Sequence, residues 1–337
     1  LAAIVAAYEV YTRIAMAVQP PEIWPNYKGW GLTAWQIFAA VIPAAKLLGL
    51  SKEQINQAIG FGVTSCPIPQ SFHQSAMSDA YHYEHGFRSM EGVMCAFNAE
   101  AGVDNYMDAL DDPWAFENHM SLTPDSSWYT KDLGTHWLTM ETLLKHWPAN
   151  VWVQAPLDGL DNICTREKLT LADIAKVRVS PIIDIYSAEN PLPMGLIQAE
   201  YSLPYCFACY LTGKKPSEDW YSLESRSSKE LNELSGIVEY FGPQANRLHM
   251  FEIFWQGTFP ETTVEVVCRD GRVFSETLRG PKGHPRNNFT MAEEKEFFIA
   301  RTAEFIGAEN AAKFADGVEK LEDCADLNDL TALLAGK

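Results

Sequence analysis

The sequence predicts an α+β protein: a mostly helical large domain with a smaller α+β lid domain inserted into it. Three observations carry that expectation. Apolar residues recur at helical spacing through the first 150 residues and again from Thr290 onward. Between these stretches the pattern turns to strict alternation over Thr263–Cys268 and Arg272–Leu278, on either side of Asp270-Gly271. The texture changes near residue 150, where Trp147-Pro148 closes the first helical stretch. The expected division is therefore a helical domain over 1–148, an α+β lid over 149–288, and helices over 289–337 that return to the first domain. A length of 337 residues fits about two domains, and the cleft between them is the default place for a ligand.

Taken in order, Leu1–Ala17 is apolar with Glu9 and Arg13 interrupting it, and no Ser, Thr, Asp or Asn cap precedes it. It reads as a helix already under way before the first residue. Lacking a basic n-region, it does not read as a signal peptide. Trp35–Leu48 is an apolar helix with Pro43 inside and Gly49 placed to end it. Ser51-Lys-Glu-Gln54 has the form of a capping box for a helix running toward Gly60. Tyr83–Ala101 is a further helix with small residues suited to close packing, and His136–Lys145 another. Thr170-Leu-Ala-Asp173 followed by Lys176-Val-Arg-Val-Ser180 reads as a capped turn running into a strand. Ser202–Thr212 and Ser228–Tyr240 read as helices, and Asp270-Gly271 as the turn of a hairpin.

Composition narrows the function. With 26 basic and 44 acidic side chains the net charge is −18, a surface that repels phosphate backbones and disfavours nucleic-acid binding. It also repels anionic substrates, so an anion site has to carry its own local cations. No apolar run approaches the roughly 18 residues of a membrane span. The seven cysteines are scattered and odd in number, the usage of a reducing compartment. Cys206-Phe-Ala-Cys209 lies in a buried-helix pattern, and no second cysteine pair accompanies it, so it reads as core rather than zinc or redox chemistry. A cytoplasmic protein is expected, with organellar targeting left open.

Lys145-His146-Trp147-Pro148 falls beside the expected cleft. There a lysine could clamp a carboxylate, or it could simply favour a helix C-terminus. Tyr205 follows Pro204 at a helix start. Beside an ammonium it could transfer a proton, or it could be a core tyrosine with a satisfied hydroxyl. His82 and His85, three apart on one helix face, could move protons or bind metal, but no third ligand accompanies them, so no metal is expected. His73, His119, His136 and His249 read as structural or surface residues, and His284 is ambiguous. Nucleotide and hydrolase signatures (a P-loop, GxGxxG, GxSxG, HExxH) are absent, which leaves acid–base chemistry without a cofactor as the simplest enzymatic class.

Several stretches, in order and across nearly the whole chain, resemble the MmgE/PrpD family. They are Tyr8-Glu-Val10 with Arg13, Gly29-Trp-Gly-Leu-Thr33, Ala44–Leu50, Leu144-Lys-His-Trp-Pro148, Tyr201-Ser-Leu-Pro-Tyr205, and Gly283-His-Pro285 with Asn288 and Thr290. The resemblance implies a helical domain with an α+β lid, a homodimer, and a site between the domains. It further implies a segment before Leu1 bearing a catalytic Asp and His, so the chain is expected to be truncated or completed by another polypeptide. Carried over by position, Lys145 and Tyr205 match the family's active-site lysine and tyrosine. Gly31 stands where a catalytic histidine is usual. Tyr81 and Glu84 stand where a lysine and a histidine are usual, with His85 or His82 as substitutes. The implied activity is that of a lyase on a small polycarboxylic acid, first a dehydratase of 2-methylcitrate or a related alkylcitrate. A decarboxylase of cis-aconitate type or an amino-diacid epimerase is the alternative, and a non-catalytic binding subunit a third reading. Tyr205, Lys145 and His85 are then the expected catalytic residues, and Lys28, Thr33, His82, Arg88 and His146 the expected substrate-binding ones.

Overall fold

The computed structural model describes residues 1–18, 35–66, 79–112, 114, 116–121, 123–183, 192–245 and 258–335. Lys28, Gly31 and Thr33 lie outside these residues, as do His73 and His249. Two separate apolar cores organise the chain, one in each half, as an α+β protein of two units requires.

The first core gathers four helices: α1 (Ala2–Val18), α2 (Phe38–Leu47), α3 (Lys52–Ser65) and α4 (Tyr81–Glu100). Ile14 and Val18 from α1 meet Phe38 and Val41 from α2, with Trp35, Ala58, Cys95 and Phe116 closing round them. The Ser51 box forms as its sequence predicts. The Gln54 amide donates to Ser51 Oγ at 3.2 Å, and the Gln54 side chain returns to the Ser51 amide at 3.0 Å. Gly92 allows the tight crossing of α4 on α2: a Cβ there would lie 2.6 Å from the Ile37 carbonyl.

A buried ion pair pins α1 to the following loops. Arg13 and Glu9 meet at 2.8 Å with their side chains at most 4% exposed. The guanidinium also donates to the carbonyls of Trp128, Lys131 and His136. Glu9 accepts from the amide and hydroxyl of Thr139. Burial opposes its charge, but the amides of Thr139 and Leu138 and the Arg13 guanidinium hold the carboxyl below its ordinary pKa. These bonds redirect the segment expected to be a helix over 136–145. Only Leu138–Glu141 winds, as a 3-10 turn, and the chain then runs extended, with the Leu144 amide donating to Gly283 O at 2.9 Å. Lys145 is thus on a strap, not at a helix end.

The second core lies between α5 (Val151–Glu167) and a four-stranded sheet. The strands are β1 (Ile174–Ser180), β2 (Val238–Tyr240), β3 (Thr262–Cys268) and β4 (Val273–Leu278), in the order β2-β1-β3-β4. β1 and β2 run parallel, β1 and β3 antiparallel, and β3 and β4 form the hairpin about Asp270-Gly271, where Gly271 takes φ +90°. Gly159 lets α5 lie on the sheet, since a Cβ would come within 2.8 Å of Val264. The short helices α6 (Leu196–Tyr201) and α7 (Leu203–Leu211) cover the same core, with Ser202 capping α7. The helix expected over Ser228–Tyr240 is the shorter α8 (Lys229–Ser235), and the last three residues of that stretch become β2 by pairing with Val177–Val179.

Thr290 caps α9 (Met291–Ile306) with a second complete capping box, and Gly307, at φ +86°, turns the chain into α10 (Ala308–Glu319). These helices, expected to return to the first unit, touch both the strap that carries Lys145 and the second unit. Arg301 donates to the His146 carbonyl at 2.9 Å, and Glu304 faces Lys215 at 3.7 Å. No helix among the described residues is long and apolar enough to cross a membrane.

Candidate active site

The two units meet where the start of α4 reaches over α6. Asp79 accepts the amides of Leu196 and Ile197 at 3.1 and 3.4 Å, closing the open N-terminus of α6, whose preceding Gly195 has no side chain to do so. One turn on, His82 Nε2 lies 3.2 Å from Glu200 Oε1 near the other end of α6. The strap brings Lys145 to the same place, where its ammonium donates to Ala149 O at 3.3 Å and feels the Glu200 charge. The Asn150 amide, in turn, donates to the Glu200 carbonyl at 3.1 Å. One carboxylate of the second unit thus stands between a histidine of the first and a lysine of the connecting strap.

The electrostatics favour exchangeable protons. Burial pushes the Lys145 ammonium below the ordinary lysine value, with Glu200 opposing. Burial pushes the Glu200 carboxyl up, against the pull of His82 and Lys145 and with help from Asp79. Lys145 is nevertheless an exposed residue, and the Glu200 side chain is 23% and that of His82 34% exposed. These groups are partly desolvated by surrounding protein and still open to water. Behind Glu200 stand Cys206 and Tyr221, 3.9 Å apart, the Tyr221 hydroxyl donating to the Pro148 carbonyl. Burial raises both of their pKa values strongly, and the Glu200 charge adds to this.

Of the residues singled out from sequence, Lys145 and His82 come together here. Tyr205 does not join them. It is 2% exposed in the second core, its hydroxyl donating to the Trp220 carbonyl, and burial pushes its pKa well up. Pro204 and the Ser202 cap start α7 so that Tyr205 points inward, the core alternative weighed for it. His85 turns to Gln36 of the first unit, so the two histidines of α4 serve different partners. Arg88 pairs with Glu91 at 2.6 Å on the same helix. His146 flanks the site, its Nε2 lying 3.0 Å from Asp158 Oδ1. His284, 5% exposed, belongs to the Gly283 loop that holds the strap. Cys206 and Cys209 are buried free thiols. Among the described residues, no three His, Cys, Asp or Glu side chains are grouped to hold a metal ion.

Sequence reasoning missed Glu200, Asp79 and Asp158. For Glu200 the signal was a single charge within the apolar run Met194–Tyr201, a placement that costs free energy unless a partner is near.

Fold and site together define a two-unit α+β protein with ionisable side chains gathered where the units meet. The MmgE/PrpD N-terminal domain matches residues 1–128 and the MmgE/PrpD C-terminal domain residues 147–323, and the chain belongs to that family. The gap between the two matches contains Lys145 and His146. Among characterised proteins, the mouse (Mus musculus) cis-aconitate decarboxylase is 23% identical over 302 residues, covering 87% of this chain. The match spans 59% of that relative's own length.

Proposed function

We propose that the protein is a lyase acting on a small polycarboxylic acid by proton transfer alone, at the junction formed by Lys145, His82 and Glu200. The observation that carries this is the meeting of one accessible ammonium, one imidazole and one carboxyl of raised pKa between the two units. Lys145 grips a substrate carboxylate. His82 and Glu200, sharing a proton across 3.2 Å, remove the adjacent C–H proton and deliver a proton to the departing hydroxyl, which leaves as water. That is the dehydration of an alkylcitrate such as 2-methylcitrate, and each proton-transfer group is worth on the order of 10²–10⁴ in rate. Nothing in these steps calls for a cofactor.

Similarity to a cis-aconitate decarboxylase favours a second outcome at the same residues. The C–C bond to a carboxylate breaks, carbon dioxide departs, and the relay supplies the proton that replaces it. Incubating the protein with a panel of di- and tricarboxylates, with product identification by mass spectrometry, separates the two: water loss against carbon dioxide loss. No product and no ligand-dependent thermal stabilisation with any member of the panel overturns the proposal.

The homodimer implied by the family resemblance belongs to the same proposal. Its suggested face is the outer row of α4, where Tyr83, Phe87, Met90, Met94 and Phe97 are each at least 45% exposed at helical spacing. Sedimentation of the wild type against a Phe87→Glu, Met94→Glu variant tests it.

A further inference from the structure

Backbone polar groups on both sides of Lys145 are tied. The Leu144 amide donates to Gly283 O, the His146 carbonyl accepts from Arg301, and Trp147 exchanges two 3.0 Å bonds with the fully buried side chain of Gln154. The side chains on the C-terminal side of Lys145 are tied as well, and to one residue. Asp158 Oδ1 accepts Trp147 Nε1 at 2.8 Å and lies 3.0 Å from His146 Nε2, while its Oδ2 accepts the Lys282 amide at 2.7 Å. His146 Nδ1 is buried without a hydrogen-bond partner, so Asp158 is what orients that ring by hydrogen bonding. Asp158 itself is 7% exposed on α5, which is clamped to the sheet at Gly159.

We infer that Asp158 is the positioning residue for Lys145: it locks the strap over residues 144–147, and the loop that backs it, onto the rigid second core. This rests on the reading of Lys145 as the group that grips the substrate. Three N–H groups converge on one carboxylate, and only an acceptor at both oxygens satisfies them all. An asparagine of the same shape turns an NH₂ toward the Lys282 amide or toward the two rings, setting donor against donor. Glu200 is the charge that acts on the Lys145 ammonium, so removing the Asp158 charge reaches Lys145 through geometry rather than through its field. The other ionisable groups about the strap are His82 from α4, Asp79 just before that helix, Arg301 from α9 and Lys282 from the loop.

The experiment compares the full chain with its Asp158→Asn and Trp147→Phe variants by three measurements: thermal midpoint, the pH dependence of Lys145 reductive methylation mapped by mass spectrometry, and KM for whichever acid of the panel is turned over. A loosened strap removes protein from around the ammonium and leaves more of it hydrated. The Lys145 modification midpoint is then expected to rise toward the ordinary lysine value in Asp158→Asn, with a smaller neutral fraction at fixed pH. Trp147→Phe, which removes one donor of the three and keeps a ring, is expected to move it less in the same direction, and it is the deciding variant if Asp158→Asn does not fold. A rise in KM accompanies the shift. A lower thermal midpoint with the Lys145 modification midpoint unmoved overturns the inference and leaves Asp158 a stabilising residue only. A shifted midpoint in a protein that turns over no acid supports the positioning role and counts against the lyase reading instead.

Discussion

Replacing Lys145 by methionine removes the ammonium and keeps most of the stem. The side chain makes one long hydrogen bond, 3.3 Å to a carbonyl, so the fold loses little and the thermal midpoint should hardly move. Binding should suffer more. A hydrogen bond to a charged group contributes about 1.5–3 kcal/mol, and because water reaches Lys145 the lower end applies. That corresponds to a rise in KM of roughly tenfold for a carboxylate substrate. Glu200 is affected too. His82 and Lys145 are the two charges that draw its pKa down against burial, so losing one leaves the carboxyl protonated to higher pH. Any limb of the activity profile set by Glu200 ionisation moves upward in the same variant. Steady-state kinetics across a pH series read both effects. An unchanged KM together with an unmoved profile would refute the assignment of Lys145 to the substrate.

Four further perturbations test the architecture. In Gly283→Ala the new Cβ falls 1.9 Å from the Leu144 carbonyl at a φ of +89°, so a loss of at least about 2 kcal/mol is expected in thermal or urea unfolding; near-neutral stability would mean that the loop does not back the strap. Arg13→Met strands Glu9 as a buried, uncompensated carboxylate and should cost about 3–5 kcal/mol, partly recovered by adding Glu9→Gln. Glu200→Gln should gain thermal stability relative to wild type as pH rises. A carboxyl whose folded pKa lies above its unfolded one stabilises the fold below the ordinary value of 4.5 and loses that contribution as pH climbs through the raised value, so a pH-independent difference contradicts the burial of Glu200. Tyr205→Phe leaves the Trp220 carbonyl without its buried donor and should cost about 1–3 kcal/mol of stability with less effect on turnover than Lys145→Met; the reverse ranking would place the hydroxyl at the reacting centre.

Local signals were legible wherever local chemistry decides the backbone. Ser51 and Thr290 announce their helices because a hydroxyl and a carboxyl or amide three residues on satisfy the same amides in any context. The hairpin at Asp270-Gly271 was legible because alternation and a left-handed glycine specify register together. Where distant groups decide, the sequence was silent. Residues 136–145 have helical composition, but Arg13 takes the His136 carbonyl and Glu9 the Thr139 amide, both from more than a hundred residues away. Ile237–Tyr240 leaves its helix because β1 offers an open edge. At the proposed site, Lys145 was singled out by its aromatic–proline neighbourhood. Glu200 was not, since its meaning lies in a histidine of the other unit. Tyr205 illustrates the converse: a helix start with proline fixes where a side chain begins, and the packing of Trp220 decides what its hydroxyl meets.

The acidity of the chain gives the site its remaining logic. A protein of net charge −18 gains nothing from its surface in attracting a polycarboxylate, so capture has to rest on a few groups at short range, inside a screening length of about 8 Å. Lys145 supplies one cation, and Glu200 would cancel it if fully ionised. Burial resolves this conflict by raising the Glu200 pKa: the carboxyl carries a proton more of the time and offers a donor where a second negative charge would stand. The same burial lowers the Lys145 pKa, so the two groups differ less in proton affinity than free side chains would. An anionic substrate entering the junction reverses the balance, favouring the ammonium and the neutral acid together. On this reading the substrate's own charge loads the acid that its chemistry then consumes.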